Sequence, residues 1–85
     1  MNKFLFIILT EKGKLFEDLV DKIIVTTSEG ELTILKNHIP LIAITNGGRL
    51  IIFKDNEEQL YDIKEGVLKV NYEETCLMNS SVIKK

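Results

Sequence analysis

The chain has 85 residues, a length typical of a single domain. Hydrophobic residues make up 45% and charged residues 28%, and the formal net charge is −2; this balance excludes an extensively disordered chain and disfavours a nucleic-acid partner. The single cysteine excludes an intramolecular disulfide. One cysteine and one histidine are too few ligands for a usual zinc site, so we expect no metal and no cofactor.

The longest apolar run, residues 4–9 (FLFIIL), is too short to cross a membrane. A membrane-spanning helix needs about 20 apolar residues, and a secretory signal needs a core of about 7–15 followed by a cleavage site. We interpret the run as a buried strand, and we expect a cytoplasmic protein with no direct membrane insertion.

Isoleucine, valine and threonine are abundant along the chain, while alanine and glutamine occur once each, a composition that favours strands. After the first strand, residues 10–13 form a predicted turn and a short extended piece begins at Phe16. Periodicity also allows a helix over residues 14–22, so this stretch is ambiguous. The remaining predicted strands are residues 20–27, 32–35, 41–45, 49–54, 60–64, 67–72 and 75–78.

Turn residues separate these strands. We predict that residues 46–48 (NGG) form the strongest turn, with others at residues 28–31 (SEGE), 36–40 (KNHIP), 55–58 (DNEE) and 73–74. The pattern predicts an all-β antiparallel sandwich or barrel over residues 1–79, followed by a short polar tail at 80–85. The predicted core includes Leu32, Ile34, Ile44, Ile52 and Val70.

No residue pattern indicates a catalytic site. His38 has no evident orienting partner nearby in the sequence, and Cys76 lies in a predicted strand, where cysteine usually acts as a small hydrophobe. The acidic pairs at 57–58 and 73–74 lie in predicted turns that face water, and no glycine-rich phosphate loop is present. We therefore predict a protein that is not an enzyme and that binds a partner with its surface.

Two blocks resemble a known family. Residues 25–41 (VTTSEGELTILKNHIPL) are similar to the signature of the epsilon subunit of F-type ATP synthases, in which a glycine-containing turn leads into a short strand and then a loop carrying His-Ala-Pro-Leu. Residues 61–70 (YDIKEGVLKV) resemble the family's Tyr-x-Val-x-Gly-Gly-x-x-x-Val, and Thr10, Gly13 and Phe16 fit its first turn. The resemblance covers nearly the whole chain, in order and with compatible spacing.

The resemblance implies a β-sandwich of about ten short strands that acts as a rotor subunit of the central stalk of an ATP synthase. It implies a gamma-like stalk subunit and the polar loops of a c ring as partners, with the alpha and beta subunits of the catalytic head contacted indirectly. The complex would hold the domain peripherally on the inner face of the cell membrane and couple ATP synthesis or hydrolysis to ion transport. The implied gamma-facing residues are His38, Pro40, Leu41, Ile42 and Ile44, and the implied ring-facing residues are Ser28, Glu29, Gly30 and Glu31.

Four positions depart from the family pattern, namely Thr33, Lys36, Ile39 and Glu65, and each adds bulk or charge at a turn or an interface. They keep open an epsilon-like subunit of a diverged ATPase with another task. A stand-alone β-sandwich interaction module is a further alternative, and a biotin- or lipoate-carrying domain is a third. Typical members continue into a two-helix hairpin that this sequence does not show, so we expect neither ATP binding nor inhibition of hydrolysis by these residues.

Overall fold

The computed structural model describes residues 2–85, which form eight strands and no helix. The all-β prediction is confirmed over these residues. The strands are β1 (Phe4–Thr10), β2 (Gly13–Val20), β3 (Lys22–Thr27), β4 (Gly30–Ile34), β5 (Leu41–Lys54), β6 (Glu57–Val70), β7 (Glu74–Asn79) and β8 (Val82–Lys84).

Hydrogen-bonded neighbours follow the order β2-β1-β7-β6-β5-β3-β4, and β8 pairs with β6. All pairs are antiparallel except β1 with β7. The 14-residue strands β5 and β6 belong to both layers of a sandwich. The first half of β5, which begins at Leu41, and the second half of β6, which ends at Val70, belong to the layer of β1, β2 and β7. The second half of β5 and the first half of β6 belong to the layer of β3, β4 and β8.

The middle of β5 bends where the sequence predicts a turn. The β5–β6 ladder pairs Asn46 with Glu65 and Gly48 with Ile63, and no pair is formed at Gly47. Gly47 and Gly48 have φ of 107° and 119°, a region that L side chains rarely adopt. The predicted turn at residues 46–48 is therefore wrong: the strand bends and continues. Counting β5 and β6 once in each layer turns eight strands into the ten segments that the family resemblance implies.

One apolar core lies between the layers. Ile34, Ile52 and Val70 are buried as predicted, and Leu32 is partly buried against them. The prediction for Ile44 is wrong, because its side chain is 54% exposed. Side chains alternate along a strand, and the neighbouring Thr45 takes the inward position at 1% exposure.

The ambiguous segment 14–22 is a strand, not a helix. β2 pairs with β1 from Gly13 to Val20 except at Leu15, where the register shifts. Phe16 packs on the core beside Phe6 with ring centroids 5.9 Å apart. The predicted strand at 20–27 is interrupted at Asp21, whose N–H donates to the carbonyl of Phe53. Val20 therefore ends β2 rather than beginning β3.

The predicted polar tail at 80–85 contains a strand. Residues Val82–Lys84 form β8 and pair with residues 61–63 of β6, and the N–H of Lys85 donates to the carbonyl of Leu60. Val82 packs against the core. Most residues of this segment are polar, so the sequence did not indicate a strand, but Val82 supplies the apolar contact that holds β8 on the core.

Carboxylates at one end of the sandwich are held by lysines. Lys3 Nζ lies 3.1 Å from Asp21 and 2.9 Å from Asp55, and the N–H of Asp55 donates to Asp21 at 2.8 Å. The Asp55 amide and Lys3 lower the pKa of Asp21, and hydrogen bonds to Asp55 and Asp21 raise the pKa of Lys3. Lys54 pairs with Asp18 and lowers the pKa of that carboxyl.

These pKa shifts predict a loss of stability in acid. A lowered folded-state pKa means that Asp21 stabilises the fold above its ordinary pKa of 3.8, and that this contribution is lost as the pH falls through the lowered value. We expect Asp21→Asn to be less stable than wild type at pH 7 and to differ much less at pH 2. Urea unfolding at both pH values measures the effect. Equal differences at both pH values would contradict it, and Glu11→Gln, an exposed carboxylate, serves as the control.

Candidate functional site

The acidic hairpin tip, residues Ser28, Glu29, Gly30 and Glu31, is exposed where β3 turns into β4. Thr27 closes the turn: its Oγ1 donates to the carbonyl of Gly30 at 2.7 Å and accepts the N–H of Glu29 at 3.2 Å. Gly30 has φ of 115°, so glycine suits the position. The turn presents two carboxylates to solvent on a fixed backbone.

This tip touches the strand that follows the histidine loop. The N–H of Ser28 donates to the carbonyl of Ile44 at 2.8 Å. A groove of about 430 Å³ lies between them, lined by residues 27–32 and 41–44. The structure therefore brings the implied ring-facing residues beside Leu41, Ile42 and Ile44, which the sequence treats as a separate group.

Ile42 and Ile44 point away from the core, with 69% and 54% of their surface exposed. Leu41 differs, since it is partly buried against the core. The register continues the apolar surface across the sheet: Ile44 pairs with Val67, Val67 with Met78, and Met78 with Leu9. Ile42 lies two residues before Ile44 on the same face of β5 and pairs with Lys69. We call the row together with Ile42 the outer apolar strip; it consists of Ile42, Ile44, Val67, Met78 and Leu9.

The sequence pattern did not identify three members of the outer apolar strip, namely Val67, Met78 and Leu9. Each follows or precedes a buried neighbour in its strand, and that alternation is the signal that marks an outward position. Alternation alone does not say which outward residues of different strands are neighbours. The strip exists because the strands pair in this register.

His38 and Pro40 lie in the loop before β5 and do not line the groove. The His38 Nδ1–H donates to the carbonyl of Ile39 at 2.8 Å, and its backbone N–H donates to the carbonyl of Leu35. The carbonyl of Ile39 thus orients the His38 ring. The N–H of Asn37 donates to the carbonyl of Tyr72 at 2.9 Å, which joins this loop to the turn between β6 and β7.

The Cys76 thiol and the Glu31–Arg49 ion pair add no reactive group to this site. Burial raises the pKa of the Cys76 thiol, which disfavours a reactive thiolate. Glu31 lies 3.6 Å from Arg49 with both side chains exposed, a weak surface pair. Within residues 2–85 no three His, Cys, Asp or Glu side chains cluster as metal ligands, and no helix there is long and apolar enough to span a membrane.

Comparison with known proteins identifies relatives over most of the chain. It is 34% identical over 71 residues to the ATP synthase epsilon chain of Alkalihalophilus pseudofirmus, covering 84% of this chain and 53% of that protein. It is 37% identical over 75 residues to the ATP synthase epsilon chain of Caldanaerobacter subterraneus, covering 87% and 54%. The chain therefore spans about half the length of these curated relatives.

Solved structures share the fold at lower identity. A chain of the Euglena gracilis mitochondrial ATP synthase, solved by cryo-EM with OSCP, F1 and the c-ring, superposes with a TM-score of 0.92 at 18% identity, covering 99% of this chain and 54% of that one. A chain from the central stalk and c-ring of the Tetrahymena thermophila mitochondrial ATP synthase gives 0.82 at 15% identity, covering 95% and 66%.

The family match agrees with these relatives and with the two-layer fold. Residues 3–85 match the family described as ATP synthase, Delta/Epsilon chain, beta-sandwich domain. From residue 3 to residue 85, this chain therefore belongs to the β-sandwich domain family of the ATP synthase delta and epsilon chains.

Proposed function

We propose that the chain acts as a non-catalytic rotor subunit in the central stalk of an F-type ATP synthase or ATPase. It docks on a gamma-like subunit and contacts the polar loops of the c ring, and so couples ATP synthesis or hydrolysis in the head to ion transport. The alpha and beta subunits of the head are reached indirectly. Membership in the delta/epsilon family supports the proposal, and the outer apolar strip beside the acidic hairpin tip carries it.

The strip is the docking surface for the gamma-like subunit. Ile42 and Ile44 are both more than half exposed, and contiguous apolar surface on a small soluble domain commonly marks a protein interface. Leu41 anchors the strand to the core from its other face. His38 and Pro40 extend the proposed interface along the loop that leads into β5.

The acidic hairpin tip is the surface for the c ring. Glu29 and Glu31 are exposed on a turn that Thr27 holds in place, so they can meet basic side chains on polar loops of a ring. Exposed ion pairs contribute only about 0–1 kcal/mol each, so these carboxylates orient the complex more than they hold it. Within this complex the domain lies peripherally at the inner face of the membrane.

Charge placed in the strip is expected to abolish docking. When the domain is co-expressed with the gamma subunit of the same organism, Ile42→Asp or Ile44→Asp loses copurification, because an interface would bury the new carboxylate. Circular dichroism and thermal unfolding check that both variants remain folded, as expected for outward positions.

The matched control is Ile83→Asp, since Ile83 is a 60% exposed isoleucine on β8, in the other layer of the sandwich. This variant should copurify normally. If both strip variants also assembled normally, the strip would not be the interface.

A further inference from the structure

We propose that the stalk partner docks partly through its backbone, by adding a short extended segment to the open edge of β5 around Ile42. The inference rests on the proposed function for the partner's identity. It concerns a different kind of contact from the apolar strip, since main-chain hydrogen bonds depend on an unpaired strand edge rather than on side chains.

The pairing of β5 shows which of its backbone groups are free. Consecutive residue pairs of an antiparallel ladder alternate between those that exchange hydrogen bonds and those that do not. The Ile44 carbonyl bonds Ser28 and so points away from β6, which makes Ile44↔Val67 a non-hydrogen-bonded pair. Two residues earlier, Ile42↔Lys69 is a pair of the same type. The N–H and carbonyl of Ile42 therefore point to the open edge, and those of Ala43 bond β6.

The edge is closed at one end and open at the other. The Ile44 carbonyl already accepts a hydrogen bond from the N–H of Ser28, and β3 pairs with β5 only between Leu50 and Phe53. From Leu41 to Ala43, β6 is the sole strand partner of β5 among residues 2–85. The groove of about 430 Å³ lies beside this stretch, so an added segment has room next to Ile42.

The β2 edge of the sheet is a poorer edge for a partner. The β2 edge carries charge held in ion pairs, Lys14 with Glu17 and Asp18 with Lys54. Charged side chains on an edge strand oppose pairing with another chain. The short stretch at Ile42 instead has an exposed isoleucine on either side of Ala43.

The surroundings define the segment that fits. Ile42 and Ile44 favour apolar side chains on its outward face, and Leu32 and Leu41 contribute apolar surface to the groove. Glu29 and Glu31 both line the same groove, and Glu31 also lies 3.6 Å from Arg49. Charge complementarity therefore assigns an extended segment of a few residues that alternates apolar side chains with lysine or arginine.

Amide hydrogen exchange tests the proposal on the complete chain. In the free protein the Ile42 N–H is expected to exchange fast and the Ala43 N–H slowly, since only the latter bonds β6. In the complex with the gamma subunit of the same organism, Ile42 exchange is expected to slow at least about tenfold, a factor equivalent to about 1.4 kcal/mol. An unchanged rate in a stable complex would overturn the proposal and leave the proposed function intact, whereas absence of any complex would overturn both.

A proline variant separates the backbone contribution from the side chain. Ile42→Pro removes the N–H at a position that makes no ladder bond to β6, and proline is tolerated at such edge positions. Loss of one hydrogen bond, about 0.5–1.5 kcal/mol net, predicts about 2- to 12-fold weaker gamma binding. Ile42→Val, which keeps the N–H, should bind within about twofold of wild type. Equal affinity of the folded proline and valine variants would overturn the proposal; if the proline variant does not fold, the exchange measurement decides.

Discussion

Gly66→Ala is expected to lower the free energy of unfolding by about 3 kcal/mol or more, because an added Cβ has no space. That atom would lie 2.0 Å from the backbone oxygen of Met78 and 2.8 Å from Cα of Asn79. The φ of Gly66 is not in the left-handed region, so the cost is steric rather than conformational. Both obstructing atoms are backbone, and β7 must move away from β6 to accommodate the methyl group.

Urea unfolding measures this cost, with Gly47→Ala as the control. Gly47 has φ of 107° but no atom within 4 Å of an added Cβ, so the cost of alanine there is the strained backbone conformation alone, about 1–3 kcal/mol. A domain of this size has a total stability of about 4–13 kcal/mol, so the Gly66 variant should be largely destabilised while the control remains folded. Similar losses in the two variants would contradict the steric explanation.

Asn79→Ala is expected to cost about 2–4 kcal/mol, because the Asn79 carboxamide replaces a missing backbone partner at the bend. Asn79 Oδ1 accepts the N–H of Lys64 at 2.9 Å and the N–H of Ser81 at 3.2 Å. Its Nδ2 donates to the Lys64 carbonyl at 3.1 Å and to Thr45 Oγ1 at 3.0 Å. The β5–β6 ladder has no pair at Lys64, so the buried amide supplies the bonds that the strand does not. Alanine leaves several of these groups unpaired, at about 1–3 kcal/mol each, with water recovering part of the loss.

The control for this variant is Asn71→Ala, since Asn71 is exposed and should change stability by no more than about 0.5 kcal/mol. Denaturant midpoints of the two variants and wild type give the comparison. A second readout is amide exchange at Lys64, which should accelerate in the Asn79 variant and stay unchanged in the Asn71 variant. A stability loss within error of the control would mean that the carboxamide does not hold the bend.

The bend connects stability with the candidate interface. Thr45, which bonds Asn79, lies directly after Ile44, and Ile44 receives the hydrogen bond from the hairpin tip. A loosened bend is therefore expected to disturb the placement of the acidic hairpin tip against β5 before it disturbs the distant core.

The four residues that depart from the family pattern all lie on the surface of the domain. Thr33, Lys36, Ile39 and Glu65 are all exposed, so their bulk and charge do not enter the core. The glycine that is retained in the second block, Gly66, is the one whose Cβ would meet backbone atoms.

The sequence by itself determined the fold class, most of the strands and part of the core, because alternation of apolar and polar residues depends only on neighbours along the chain. Ile34, Ile52 and Val70 are examples, as are the two blocks that resemble the family. Tertiary structure alone decided the outward position of Ile44, the continuation of β5 through its glycines, and the strand at Val82–Lys84. It also decided the contact of Ser28 with Ile44 and the role of Asn79, since both join residues distant in sequence. The physical reason is that pairing register and bends arise from interactions between strands, and no local pattern of side chains encodes which backbone groups remain unpaired.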